Sequence, residues 1–217
     1  MYPDAPMMPT ETTAHDHTRT CMNMHTSDPA RFEPRRGRGN TERMIGSTAG
    51  TLLVATPPLA DPNFDRSVVY MVEHDERGAL GLVLNRPTDE DLPDQLDAWR
   101  DQLAAPGAVF TGGPVEPDTM IGVAHIVGDD PDRVGTVDLT LDPLTTGARR
   151  LRVFRGYAGW SPGQLDGELL AGAWIVLPAE PEDIFSAEPS ELWRAVLRRQ
   201  GGRLAWLATA ADELSLN

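Results

Sequence analysis

Short apolar runs, each closed by proline, glycine or an acidic turn, dominate the chain after Gly46. Residues 51–55 (Thr-Leu-Leu-Val-Ala) stop at Pro57-Pro58 and predict a buried strand. Residues 67–73 predict a second strand and residues 79–84 a third. The link Asp75-Glu76-Arg77-Gly78 has turn composition, so these two pair as an antiparallel hairpin. Gly81, inside the third run, predicts a bulge or a close backbone approach. Leu92, Leu96, Trp99 and Leu103 recur at intervals of four and three and predict a helix over 91–103. Its acids Asp91, Asp94 and Asp97 lie toward the N-terminal end, where the helix dipole favours them. Val109-Phe110 reads as a short strand entering Gly112-Gly113-Pro114-Val115. Residues 120–127 predict another strand, and 134–141 a half-exposed one.

The densest pattern is residues 153–177. It predicts a strand, a glycine-and-aromatic turn, a short helix and a second strand, with Ser161 capping the helix and Pro162 at its first position. Residues 178–189 are acidic and loop-like, anchored by Ile184-Phe185. A helix follows from its cap Ser190, with Leu192/Val196 and Trp193/Leu197 as its buried stripe and Gly201 as its stop. Residues 204–207 pack last and 211–217 fray. Strands and helices do not alternate regularly. The expected class is therefore α+β: one compact domain at 46–210, with a largely antiparallel sheet and about three helices.

Composition adds a tail. Residues 1–45 are rich in Pro, Thr, Met, His and Arg, too polar to offset chain entropy, and are expected to be disordered. Met22, Met24 and Met44 sit where a true start could lie. The group His15-Asp16-His17 and Cys21-Met22-Asn23-Met24-His25 has soft-metal ligand types, but ligands without fixed geometry select no metal. The 217 residues carry a formal charge of −14, and all of it falls after residue 45. Such a body repels nucleic-acid phosphate and anionic lipid at long range. Every basic residue is arginine. The single cysteine, Cys21, excludes an internal disulfide and fits a reducing compartment. With no 18-residue apolar run and no cationic start followed by one, the expectation is a cytoplasmic protein with no membrane contact.

Four motifs stand in order. They are Gly50 to Ala55 followed by Pro58-Leu59, Asp61-Pro62, Phe64 and Arg66-Ser67-Val68-Val69; Gly78-Ala79-Leu80-Gly81-Leu82-Val83-Leu84-Asn85-Arg86-Pro87; Gly112-Gly113-Pro114-Val115; and Gly156-Tyr157-Ala158-Gly159-Trp160 with Gly163-Gln164-Leu165. Together they resemble the YqgE/AlgH family over residues 46–210. The resemblance implies a compact bacterial α+β domain. It brings no catalytic residues to carry over, and one member bears the label of transcriptional regulator.

Several groups have the residue types of a site. Gly159-Trp160-Ser161-Pro162-Gly163 matches the G-x-S-x-G nucleophile elbow. However, Pro162 has no N–H for an oxyanion hole, and His74 and His125 both precede the serine. His74 and His125 could join Glu73, Asp75 or Asp129 on a metal, but no ligand spacing supports one. Gly112 and Gly113 could expose N–H groups to an anion, or mark a tight turn where side chains would clash. Arg66, Asn85 and Arg86 at strand ends, with Tyr157, Trp160 and Gln164, form the expected contact surface, suited to a small planar ligand or a protein partner. Arg66 could instead bridge Asp61 or Asp65. Arg194, Arg198, Arg199 and Arg203 could meet DNA, or form a solvated helix face paired with acids. The expected function is non-enzymatic binding or interaction, with no cofactor or metal. The alternatives are a transcriptional regulator contacting DNA through the arginine helix and a hydrolase using Ser161.

Overall fold

The computed structural model describes residues 46–57, 64–127 and 133–214, the last five as backbone. The tail 1–45 with its His/Cys/Met group, Asp61 and Asp129 lie outside these described residues. Eight strands form one sheet: β1 (Thr51–Ala55), β2 (Val68–Asp75), β3 (Gly78–Val83), β4 (Val109–Thr111), β5 (Val115–Ile126), β6 (Arg133–Val137), β7 (Ala148–Trp160) and β8 (Trp174–Pro178). Their order is β6-β5-β7-β3-β2-β1-β8, with β4 beside β7. All pairings are antiparallel except β4 with β7. The helices are α1 (Pro143–Thr146), α2 (Gln164–Leu170), α3 (Pro181–Ile184), α4 (Leu192–Arg199) and α5 (Gly202–Leu214). The protein is thus α+β.

The continuous apolar run of β1 is explained by burial on both faces. Leu52 and Val54 join a cluster with Ile184, Phe185 and the Leu192, Trp193, Val196 and Leu197 stripe of α4. Leu53 and Ala55, pointing the other way, join Val69, Met71, Val83, Trp160 and Trp174. The β2–β3 hairpin forms as its turn composition predicts. The register slips between Met71 and Glu73, opposite Gly81 and Leu80. A Cβ on Gly81 would lie 2.5 Å from Val69 Cγ1, so the bulge and the close approach occur together.

β7, the longest of these strands at 13 residues, pairs with three others. One edge pairs with β5; the other is shared by β4 and then β3. Gly156 divides it, with a left-handed φ of 66°. Four β5-side residues, 116–119, stand opposite this one glycine. The pleat changes phase there: Phe154 and Tyr157 pack with the first cluster, whereas Ala158 and Trp160 pack with the second.

Several elements depart from the pattern. The helix expected over 91–103 is a 3-10 helix, Asp94–Gln102. Pro93 opens it, and Leu96 N–H bonds to Pro93 O, three residues back. Its predicted face is right: Leu92, Leu96, Trp99 and Leu103 share a third cluster with Leu151 and Val153. The strand expected to reach residue 141 stops at Val137, because Asp138 Oδ1 accepts from Thr140 N–H at 2.9 Å and turns the chain. Ser190 does not cap α4; the chain enters through a 3-10 turn, Pro189–Glu191. The loop 178–189 contains α3, where Asp183 Oδ2 accepts from Glu180 N–H at 2.8 Å. Arg150 and Arg152 of β7 pin the segment after it, donating to the carbonyls of Phe185 and Ser186, each at 3.0 Å. Arg152 is 1% exposed and lies over the Phe110 ring. Burial, then the neighbouring Arg150, lowers its pKa to about 10.

Candidate binding site

Residues Gly156 to Trp160 form the end of β7 and not a turn; the turn is Ser161 to Gly163. Ser161 is not the helix cap. Gly163, with φ 71°, holds the N-cap position of α2, and Ser161 N–H instead donates to Gln164 Oε1 at 3.1 Å. Gln164 and Glu168 lie one turn apart on α2, so they share a face. The chain then returns into β8 at Trp174.

This strand–helix–strand junction gathers Trp160, Gln164, Glu168 and Trp174. The Glu168 carboxylate is the centre. Its Oε2 accepts the indole N–H of Trp160 at 2.9 Å and that of Trp174 at 2.7 Å. Its Oε1 accepts the Gln164 amide at 3.0 Å. Phe64, from the β1–β2 connection, stacks near Trp160 (centroids 6.3 Å, 25° between planes) and meets Trp174 edge-on at 5.5 Å. Trp160 and Trp174 are perpendicular, 6.1 Å apart. A cavity of about 120 Å³ is lined by these five residues with Pro114 and Gly159.

The other candidates are placed elsewhere or engaged locally. Asn85 is buried; its Oδ1 accepts from Val68 N–H at 3.0 Å and its Nδ2 donates to Arg66 O at 2.8 Å. Arg66, at φ 49°, lies in the turn before β2, and Arg86, after β3, donates to the carbonyls of Asn85 and Asp65 and so ties the two segments together. These three form one unit, none of which lines the Trp160 cavity. Tyr157 lies three residues from Trp160 on one strand, so the two point to opposite faces. Its hydroxyl meets Glu116 Oε1 at 3.4 Å, and burial followed by that carboxylate raises its pKa. Asn85→Ala is expected to cost about 2 kcal/mol, since Val68 N–H and Arg66 C=O both lose a partner. Urea unfolding measures this; an unchanged midpoint would mean that water replaces the amide.

Gly112 N–H donates to Arg155 O at 2.8 Å. His74 is held by Thr48, whose N–H donates to its Nδ1 at 3.2 Å, and its Nε2 lies 3.9 Å from Asp166 Oδ1. His125 lies on β5, opposite Arg150. Among the described residues no three His, Cys, Asp or Glu side chains gather for a metal, and no helix is long and apolar enough to cross a membrane. On α4, Arg199 chelates Asp183 through both nitrogens at 2.8 and 2.9 Å, and Arg194 reaches Glu191 at 3.4 Å. Arg198 is exposed on α4, and Arg203 is exposed on α5.

Sequence reasoning missed Glu168, Trp174 and Phe64 as members of the cavity. The available signal was the Gln164–Glu168 spacing between two tryptophans.

The sheet topology and this acid-centred aromatic cavity define a single-sheet α+β protein with a small recess at a strand–helix–strand junction. The AlgH-like family model matches residues 52–205. A UPF0301 protein of Streptomyces avermitilis is 50% identical over 193 residues, covering 82% of this chain and 99% of the relative. One from Thermobifida fusca is 44% identical, covering 79% and 96%. Among solved structures, a Corynebacterium diphtheriae protein aligns with TM-score 0.70 at 29% identity, covering 77% of this chain and 94% of that one. The AlgH protein from Pseudomonas aeruginosa aligns at 0.58 and 31%, covering 77% and 96%. The chain belongs to the AlgH-like, UPF0301 family. The names of these relatives state no enzymatic activity.

Proposed function

We propose that this is a non-enzymatic, cytoplasmic binding protein whose ligand site is the cavity beside Trp160. The observation that carries this reading is the cavity itself: three aromatic rings and a carboxylate converge on about 120 Å³ of space. Recesses of mostly apolar lining with a few convergent polar groups are the usual form of ligand sites. The chemistry present favours binding over turnover. Glu168 already accepts three N–H donors, so its oxygens are engaged in holding the site together. Ser161 is followed by Pro162, which offers no N–H to an oxyanion. DNA binding through α4 is not assigned, because Arg194 and Arg199 already pair with Glu191 and Asp183.

The test is a melting scan of the full chain against small aromatic, amine and amide compounds, with an ester panel run alongside. A ligand at one hundred times its Kd adds about 2.7 kcal/mol to stability. The expected result is a melting shift that Trp160→Leu abolishes, and no ester turnover. A shift retained in Trp160→Leu would place the site elsewhere. Ester turnover lost in Ser161→Ala would make the protein an enzyme.

A further inference from the structure

We infer that the Trp160 cavity selects a small alkylammonium group, its charge facing Glu168 and its carbons lying against Phe64, Trp160 and Trp174. This rests on the reading of that cavity as the ligand site, and names the chemistry of the ligand.

The first ground is an uncompensated charge. An ionised carboxylate has about four acceptor positions. Among the described residues Glu168 accepts three hydrogen bonds, all from neutral N–H groups. The ion pairs of His74, Arg77, Arg100, Arg155, Arg194 and Arg199 go to other carboxylates. A half-buried anion with neutral donors alone attracts a cation. The second ground is the ring set. Aromatic faces attract ammonium groups through their quadrupoles, tryptophan most strongly. Each indole here donates its N–H to a carboxylate, which polarises the ring toward greater electron density and reinforces that attraction.

Size and charge narrow the choice. The cavity of about 120 Å³ is slightly smaller than the roughly 150 Å³ site that admits benzene in a dry protein core. A methylated ammonium fits this space, whereas a nucleotide or an extended planar cofactor does not. Anions meet both Glu168 and a chain of net charge −14. A neutral planar ligand fills the space but leaves the carboxylate without a counter-charge.

The test uses full-length protein labelled with ¹⁵N, following the indole N–H resonances of Trp160 and Trp174. The probes are tetramethylammonium chloride and a neutral analogue of similar shape, neopentyl alcohol, at constant ionic strength. Saturable shifts are expected with tetramethylammonium, at least tenfold tighter than with the alcohol. Glu168→Gln should erase that preference while leaving alcohol binding in place. If Glu168→Gln does not fold, Phe64→Leu keeps the apolar surface without the ring and should weaken the cation at least threefold more than the alcohol. Equal binding of the two probes would overturn the ammonium inference and leave the cavity as a neutral-ligand site. Failure of both probes to move either indole overturns the inference, and the melting scan then decides separately whether the cavity binds anything. A trimethyllysine peptide, run beside tetramethylammonium, distinguishes the source of the group. Tighter peptide binding indicates a partner's side chain, and equal binding indicates a free amine; either supports the ammonium chemistry.

Discussion

Gly113→Ala is expected to destabilise the protein by about 4 kcal/mol, at the upper end of the cost of forcing atoms into a packed site. A Cβ at Gly113 would lie 2.2 Å from Tyr157 C, 2.3 Å from Ala158 N and 2.3 Å from Tyr157 O. All three are backbone atoms of β7, so no rotamer change relieves the overlap. Gly112 shares the crossing: its Cβ would lie 2.2 Å from Gly156 O. Gly156 in turn would place a Cβ 2.7 Å from Gly113 O while holding φ at 66°. These three glycines allow the segment after β4 to pass over the middle of β7. Relief requires the two backbones to separate, which breaks the Gly112 N–H to Arg155 O bond and the Val83 N–H to Gly112 O bond beside it. In a domain of this size the melting temperature should fall by roughly 10 °C. Gly163→Ala is the control. It has a positive φ of 71° but nothing within 4 Å of the added carbon, so it should cost only about 1 kcal/mol of backbone strain. Equal losses at the two positions would mean that conformation, and not the crossing, sets the requirement for glycine.

That crossing also shows what a sequence can and cannot display. Gly112-Gly113-Pro114 and Gly156-Tyr157-Ala158-Gly159-Trp160 read as two separate motifs because more than forty residues divide them. In the fold they are one contact, and each needs glycine because of the other. The strand pattern was legible for a different reason: Leu52 and Leu53 face opposite clusters, and burial on both faces leaves a continuous apolar run. The 3-10 winding of Asp94–Gln102 was not legible. Leu92, Leu96, Trp99 and Leu103 mark an apolar face whichever way the turn is wound. At the cavity, Trp160 and Gln164 stood out because they share one short motif. Glu168 looked like any exposed helical acid until the chain reversal at Gly172, with φ 74°, brought Trp174 back onto it. Phe64 comes from about one hundred residues away, and no local spacing points to it. Tyr157 was grouped with Trp160 because the two share one glycine-rich motif read as a turn, but the motif is strand, and an odd separation on one strand sends the two side chains apart.

Arg199→Ala is the second large effect, expected at about 3 kcal/mol. Asp183 is 4% exposed, and its carboxylate receives both Arg199 nitrogens and Glu180 N–H. Removing the arginine leaves a buried anion with a single donor, a loss of about 3–5 kcal/mol when fully buried. The Arg199 side chain is 30% exposed, so water reaches part of the site and the lower end applies. Arg199 also donates to Pro178 O at 3.3 Å, and so ties the end of β8 to α4 across α3. The pairing decides the cost more than the loss of either side chain. Asp183→Leu with Arg199→Met replaces both charges by apolar groups of similar bulk, and exposed Glu180 can give its N–H to water. The double variant should therefore lose less stability than Arg199→Ala alone. Urea midpoints for wild type, Asp183→Leu, Arg199→Met and the double variant complete the cycle. Losses that simply add would show that the pair is not coupled, and that Arg199 serves the fold through its aliphatic stem. A double variant close to wild type would identify the ion pair as a replaceable clamp, with a core of Ile184, Phe185 and Trp193 that holds without it.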